Sequence, residues 1–516
     1  MAGTALPPFE PPADFGSLVR FLAAASGAER VETGAFALLS GGAIQENWGF
    51  TALFAGGRLA GAQPLVLRTN AATGIASSLG RIEEFAVLKA AFAAGVTVPE
   101  PLFACADPSV IGKPFFVMRR VPGTAQGRQI TADPALDEGL PPIASWLGHQ
   151  LARLQTIRPP RPDLPFLRLI EAPQHIADFR GYLDSHPQPR PVLEWAIRWL
   201  ETHLPEPLPP VLCHRDFRTG NYMLDGAQLT GILDWEFAGW GDPDEDIGWF
   251  CCKGWRFARL DREAGGIAGR APFYAGYENA AGRRLDPERV HFWEVLANVR
   301  WAVIALQQSD RCLIGDARDL STAIIGRRAS ECELELLLLL DPGGSAQTTP
   351  SPPHGPLAGE RVGVRGPLPT PSPVRGLPPA ATLSRIAGEG LNLRDRPSGI
   401  ALLALGRELL IEELLPLLPP ERHRDLRLVA TAMSIAEREA MADAGPAHDI
   451  RCRLVELYGD ADLVALFRRL AADLRTGAFE SCAAREAAAR AILWRLTIVK
   501  LREGNPVFLA ENGFGE

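Results

Sequence analysis

The chain has 516 residues, enough for two or three domains, and 47% of them are hydrophobic, enough to bury sizeable cores. Its formal net charge of −8 argues against a nucleic-acid-binding surface. No apolar run reaches bilayer-spanning length, since Leu334 to Leu340 is short and contains Glu335. The eight cysteines are scattered apart from Cys251-Cys252 and lack the paired spacing of metal sites, so they read as reduced, mostly buried thiols. The opening MAGTALPPFEPPADF has no basic region ahead of an apolar core; no signal peptide is expected, and a cytoplasmic location follows.

Residues 1–14 are Pro-rich and read as an arm. A helix over 14–25 places Phe15, Leu18, Val19 and Leu22 on one face. Phe36 to Leu39, the Gly41-Gly42 pair and Trp48 to Phe54 read as a hairpin, a pattern that is most often a plain turn. Glycines there would let backbone amides approach phosphate oxygens. The next strand, QPLVLRT, carries Arg68. Residues 79–94 have helical periodicity, with Ile82, Phe85, Leu88 and Phe92 on the face expected to meet the core and Glu83 and Glu84 at its border. Phe115 to Met118 reads as a buried strand that leaves through Arg119-Arg120-Val121-Pro122-Gly123. A helix is expected over 142–155 and another over 192–203, with a Pro- and Arg-rich insert on the substrate side between them.

Residues 211–250 carry the chemistry. Val211-Leu212-Cys213 is a short strand ending at His214-Arg215-Asp216, and Asn221 follows within one loop. Two apolar runs separated by Asp225-Gly226 form a hairpin, and the second delivers Asp234. Phosphoryl transfer needs a carboxylate to accept the proton of an attacking hydroxyl, and an amide oxygen and a second carboxylate to hold Mg²⁺ on the phosphates. Asp216, Asn221 and Asp234 match the order and spacing of that set in kinases. An ordinary hairpin with Asp and Asn turns is the alternative. Arg68 then stands where kinases place a phosphate-contacting Lys, and Glu84 is its candidate partner; a surface Arg and a solvated Glu are the plainer readings.

HRDFRTGN followed by ILDWE resembles the aminoglycoside phosphotransferase superfamily, in the branch encoded with or fused to acyl-CoA dehydrogenases. The resemblance covers roughly residues 30–335 and implies an α+β, bilobal protein-kinase-like fold. It implies ATP and Mg²⁺ as cofactors, with Asp216, His214 and Arg215 in the catalytic loop and Asn221 and Asp234 on the metal. Gly41, Gly42, Gln45, Asn47, Arg68 and Glu84, together with Met118, Arg119 and Val121 of an adenine-binding hinge, are the implied nucleotide contacts. Ile44-Gln45 stands where the family's glycine loop has Ser-Asn. Phe116 and Met118 fit a plain core equally well. Asp242 and Asp246 of the GDPDED segment are implied to cap the next helix and buttress the site.

From Asp341 to about Pro397 the composition turns Pro- and Gly-rich and cannot bury a core. Residues 399–516 regain helical spacing and are expected to be an all-α accessory domain, similar to an uncharacterised one found beside phosphotransferases of this branch. The organisation expected is 1–122 N-lobe, 123–340 C-lobe, 341–398 linker and 399–516 accessory domain, with residues 1–340 folding and binding ATP alone. Three functions are compatible: an ATP-dependent phosphotransferase acting on a hydroxyl-bearing small molecule such as a hydroxyacyl-CoA, a nucleotide-binding pseudokinase, and a non-catalytic partner of an acyl-CoA dehydrogenase.

Overall fold

The computed structural model describes residues 16–39, 45–70, 78–136, 139–314, 320–344 and 399–514. The N-terminal arm, Gly41, Gly42 and nearly all of the expected linker lie outside them.

The N-terminal lobe is built on a long antiparallel hairpin, β3 (Gln45–Ala55) with β4 (Gly61–Asn70). Phe50, Ala52 and Phe54 alternate with exposed Thr51, Leu53 and Ala55 along β3, and with Trp48 they make one face of the strand apolar. β1 (Arg30–Thr33), β5 (Pro101–Cys105) and β6 (Phe115–Arg119) complete an antiparallel sheet in the order β1-β3-β4-β6-β5, and β2 (Ala37–Leu38) adds to β3. Leu18 and Leu22 of α1 (Gly16–Ser26) close its apolar face.

α2 (Arg81–Ala93) departs from the expected stripe. Ile82 and Phe92 are 38% and 45% exposed, while Arg81, Glu84, Val87, Leu88 and Ala91 face inward. The inward face instead carries Glu84, which meets Arg68 of β4 at 3.0 Å, and a buried carboxylate needs such a partner.

In the C-terminal lobe, α4 (Leu140–Leu154) lies against α8 (Arg270–Ala281). The two backbones approach so closely at Gly148 and Gly276 that a side chain at either position would overlap the other helix. The stretch 156–192 is no insert on the substrate side. It contains α5 (Ala172–Ser185), whose Ile176, Phe179 and Leu183 join the core of α6 (Pro191–Thr202) and α9 (Pro287–Ile314). Its Pro and Arg content hid a helix whose inward positions also include His175 and Arg180.

The C-terminal helices His423–Met441, Ala444–Tyr458, Leu463–Thr476 and Ala483–Gly504 form a separate all-α unit in chain order. Yet they share a core with the C-lobe. Leu193 and Ile197 of α6, and Leu334 and Leu337 of α11 (Ala329–Leu340), belong to one apolar cluster with Leu466, Leu470, Leu493 and Trp494. Glu333, fully buried in this joint, lies 2.9 Å from Lys500 and 3.5 Å from Arg190, and Trp494 Nε1 donates to Asp341 Oδ2 at 2.9 Å. This packing speaks against a C-lobe that stands alone at residue 340, because removing the helices would uncover α11. No helix among the described residues is long and apolar enough to cross a membrane.

Candidate active site

The catalytic loop is delivered by β7 (Val211–Cys213), buried along its whole length. The hairpin β8 (Tyr222–Asp225) and β9 (Gln228–Ile232) returns the chain to Asp234, with Gly226 at φ +55° in the turn, a left-handed backbone that glycine adopts without strain. The two loop ends are stitched together by Leu233. Its amide donates to Asn221 O at 2.8 Å, and its carbonyl accepts from His214 Nε2 at 2.8 Å.

His214 is buried, and burial lowers its pKa. Its Nδ1 accepts from the Asp216 amide at 3.2 Å, which fits the neutral tautomer with the proton on Nε2. Arg215, at φ +63°, is also buried; its Nη2 donates to Trp240 O at 2.7 Å and its Nε lies 3.5 Å from Glu245. The carboxylate of Asp246 accepts the amides of both His214 and Arg215, each at 2.7 Å. His214, Arg215 and Asp246 therefore shape the loop, and only Asp216 of the three catalytic-loop candidates presents a partly open polar group.

Asp216 is held from two sides. Oδ1 accepts from Arg218 Nε and from Trp249 Nε1, both at 3.0 Å, and Oδ2 accepts from Asn221 Nδ2 at 2.5 Å. With its N–H groups aimed at Asp216, the Asn221 side chain turns its carbonyl oxygen away from that carboxylate. Arg218 is legible in the motif two positions after Asp216. Trp249 gives no such signal: it is 33 positions further along and reads as one of many core aromatics.

Asp234 sits at φ +61° with its carboxylate part-exposed, and Oδ1 lies 2.8 Å from Arg68 Nη1. Arg68 also contacts Glu84 at 3.0 Å and Asn47 Oδ1 at 3.3 Å. Burial opposes its charge, but Glu84, Asp234 and Glu236 hold the guanidinium above its usual range. Arg81 braces Glu84 from the other side. Glu236 gathers Gln45 Nε2 at 2.9 Å and Ser78 Oγ at 2.6 Å, so Gln45 is fixed behind the cleft. Glu236 escapes a sequence reading because its partners, Gln45 and Ser78, lie far away in the chain.

Between the lobes lies a cavity of about 560 Å³. Val66, Leu88, Met118, Val121 and Ile232 supply its apolar walls, and Asn47, Arg68 and Asp234 its polar end. Arg119 reaches the rim, but its amide donates to Glu100 O and its side chain to Glu100 and Gln63. The Arg120 amide donates to Pro64 O, so Val121 is the hinge position left to meet a base. Gly41 and Gly42 fall outside the described residues.

These features fit a nucleotide. The volume suits a small organic ligand, the walls suit a flat ring, and Arg68 Nη2 is a buried donor without a partner among the described residues. For Mg²⁺ the donor set is an amide and a carboxylate oxygen, Asn221 and Asp234, which suits an ion ligated mostly by phosphates and water. Among the described residues no cluster of three or more His, Cys, Asp or Glu forms a protein-only metal site.

Residues 37–293 match the family model described as the phosphotransferase enzyme family, and residues 416–508 match a domain of unknown function. Over 210 residues the chain is 33% identical to acyl-CoA dehydrogenase family member 10 of Mus musculus, a match covering 38% of this chain and 18% of that protein. Over 202 residues it is 32% identical to acyl-CoA dehydrogenase family member 11 of Gallus gallus, covering 36% and 25% respectively. The chain thus matches a quarter or less of the length of these curated relatives. Its fold is that of a candidate aminoglycoside phosphotransferase from Ralstonia eutropha, at a TM-score of 0.52 and 20% identity over 63% of this chain and 98% of the other. Residues 37–293 are therefore a domain of the phosphotransferase enzyme family, kinase-like in fold and followed by a small helical domain of unknown function.

Proposed function

We propose that the protein is an ATP- and Mg²⁺-dependent phosphotransferase acting on the hydroxyl of a small molecule. The observation that supports this most directly is the stitching of Asp216, Asn221 and Asp234 together through Asn221 and Leu233, with Asp234 at the polar end of the interlobe cavity. Bound MgATP would supply the phosphoryl group, its terminal P–O bond to the leaving diphosphate breaking as the acceptor oxygen takes the phosphorus. Asp216 accepts the acceptor's proton; Arg218 and Trp249 keep that carboxylate aimed. Asn221 and Asp234 offer oxygens to the metal, and Arg68 meets phosphate oxygens. Met118 and Val121 border the base. The names of the relatives support an acceptor such as a hydroxyacyl-CoA, or a partner such as an acyl-CoA dehydrogenase.

One contact favours a second reading, nucleotide binding without transfer: Arg68 already clasps Asp234, the metal-ligand candidate. The experiment that separates the two is Asp216→Ala. Phosphotransfer to the acceptor should fall by about 10²–10⁴, as when a general base is lost, with ATP affinity retained. An Asp216→Ala protein that turns over at the wild-type rate removes Asp216 from the mechanism.

A further inference from the structure

A second cavity, of about 860 Å³, lies between the C-lobe and the accessory helices, outside the interlobe cleft. Phe257, Trp301 and Lys253 come from the lobe, and Ser434, Arg438 and Phe508 from the accessory unit. Contacts across the joint hold it open: Asn505 Nδ2 donates to Glu331 Oε1 at 2.9 Å, Arg327 pairs with Glu439, and Lys253 stands 6.0 Å over the Phe508 ring. The volume is that of a site for an organic molecule.

Its charge is distinctive in a chain of net charge −8. Five cationic side chains line it against three carboxylates. Glu335 and Glu331 are spent on Lys253 and Arg328, at 2.6 and 3.0 Å, and Arg327 is spent on Glu439. Arg128 and Arg438 then face the one remaining lining carboxylate, Glu511. Arg438 is held by backbone carbonyls, those of Glu503 at 2.7 Å and Gly504 at 3.3 Å, so its guanidinium is positioned without being neutralised. Aromatic faces from Phe257, Trp301 and Phe508 complete a lining that suits a ring or chain carrying negative charge.

The cavity shares a wall with the interlobe cleft. Phe257 lines both. Phe257 and Ala258 have φ of +48° and +68°, a left-handed backbone unfavourable for residues with side chains, and strain of this kind concentrates at ligand clamps. Trp255 packs against Trp301 with centroids 4.8 Å apart and carries Arg218 over its ring at 4.6 Å, and Arg218 holds Asp216. Three contacts therefore lead from Trp301 in the cavity wall to the carboxylate assigned to accept a proton.

We propose that this cavity is an acceptor site built jointly by the phosphotransferase lobe and the accessory helices, taking an organic anion with an apolar body whose hydroxyl end passes Phe257 to reach Asp216. The assignment rests on the phosphotransferase reading. It gives the accessory domain a role, as the outer wall of a substrate site.

The test uses the full chain, Ser434→Trp to fill the cavity from the accessory side, and Arg438→Gln to remove charge without bulk. Anilinonaphthalene sulfonate, an aromatic anion, is the binding probe; a hydroxymethyl benzenesulfonate with MgATP is the acceptor probe. The wild type should bind the first probe at one saturable site that quenches tryptophan fluorescence, with affinity about 10-fold or more weaker in both variants and ATP affinity unchanged. The KM of the hydroxylated probe should rise by about the same factor in Ser434→Trp at an unchanged KM for ATP. Probe affinity equal in all three proteins, or an acceptor KM unmoved by Ser434→Trp, overturns the proposal. Failure of the phosphotransferase reading has a different signature, a wild type that binds the sulfonate but not MgATP, and it would overturn the acceptor role with it.

Discussion

Trp249 Nε1 donates to Asp216 Oδ1 at 3.0 Å, and Arg300 stacks over the same indole at 4.6 Å. The proton acceptor of the proposed reaction is thus aimed by a buried side chain on α7 (Glu245–Cys251), the helix behind the loop. Trp249→Phe keeps the ring and deletes the donor. The expected outcome is a fall in kcat of about 10-fold, the loss of one hydrogen bond to a charged group, with KM for ATP unchanged. A purely structural role would lower stability and leave kcat of the folded protein unchanged.

Asp234→Asn and Asn221→Ala should each raise the Mg²⁺ concentration needed for half-maximal ATP turnover, because each removes or weakens one oxygen ligand. Asp234→Asn also releases Arg68, which is 2.8 Å away, so ATP binding without metal should weaken less in this variant than in Asn221→Ala. Metal titrations superimposable on wild type in both variants would withdraw the assignment.

Asp246, beneath the catalytic loop, gives stability a pH dependence. Burial, then the neighbouring Glu245, push its pKa up to about 7. A carboxyl whose folded pKa is raised stabilises the fold fully below its unfolded value, about 3.9, and that contribution is lost as pH rises towards about 7. Glu245 runs the other way: burial opposes its charge, but Arg215, His175 and Arg300 hold it down at about 2, so its contribution is present above the unfolded value and is lost as pH falls towards about 2. Urea midpoints across pH 4 to 7 should decline in wild type and flatten in Asp246→Asn. The variant should also lose roughly 1–3 kcal/mol, since its amide can accept from only one of the two loop N–H groups. A slope unchanged by the substitution would mean another group titrates.

The shared core predicts that the accessory helices are needed for folding. A fragment ending at residue 344 leaves Leu334 and Leu337 uncovered and Glu333 without Lys500. It should melt at lower temperature than the full chain, or aggregate. Trp494→Ala, in the full chain, should cost roughly 3–5 kcal/mol and shift the single unfolding transition as a whole. A fragment that melts with the full chain's midpoint would show two independent cores.

The sequence by itself determined the order of the candidate site residues and their local scaffolding. HRDFRTGN and ILDWE carry a strand end, a tight loop and a Gly-containing hairpin, and these short-range features place Asp216, Asn221 and Asp234 in order whatever surrounds them. The apolar alternation of β3 and the helical spacing of α1, α4 and α6 were legible for the same reason, since each follows from a period of two or 3.6 within one element. Tertiary structure decided what depends on partners distant in the chain. It turned α2 so that Glu84 faces Arg68 and Ile82 faces solvent, because a buried ion pair has no signature in either helix or strand alone. It made His214 and Arg215 supports for the loop, brought Trp249 onto Asp216, and found α5 in a stretch dominated by Pro and Arg. It also joined the accessory helices to the C-lobe: an apolar stripe on a helix says that something must cover it, and only the fold says that α6 and α11 do.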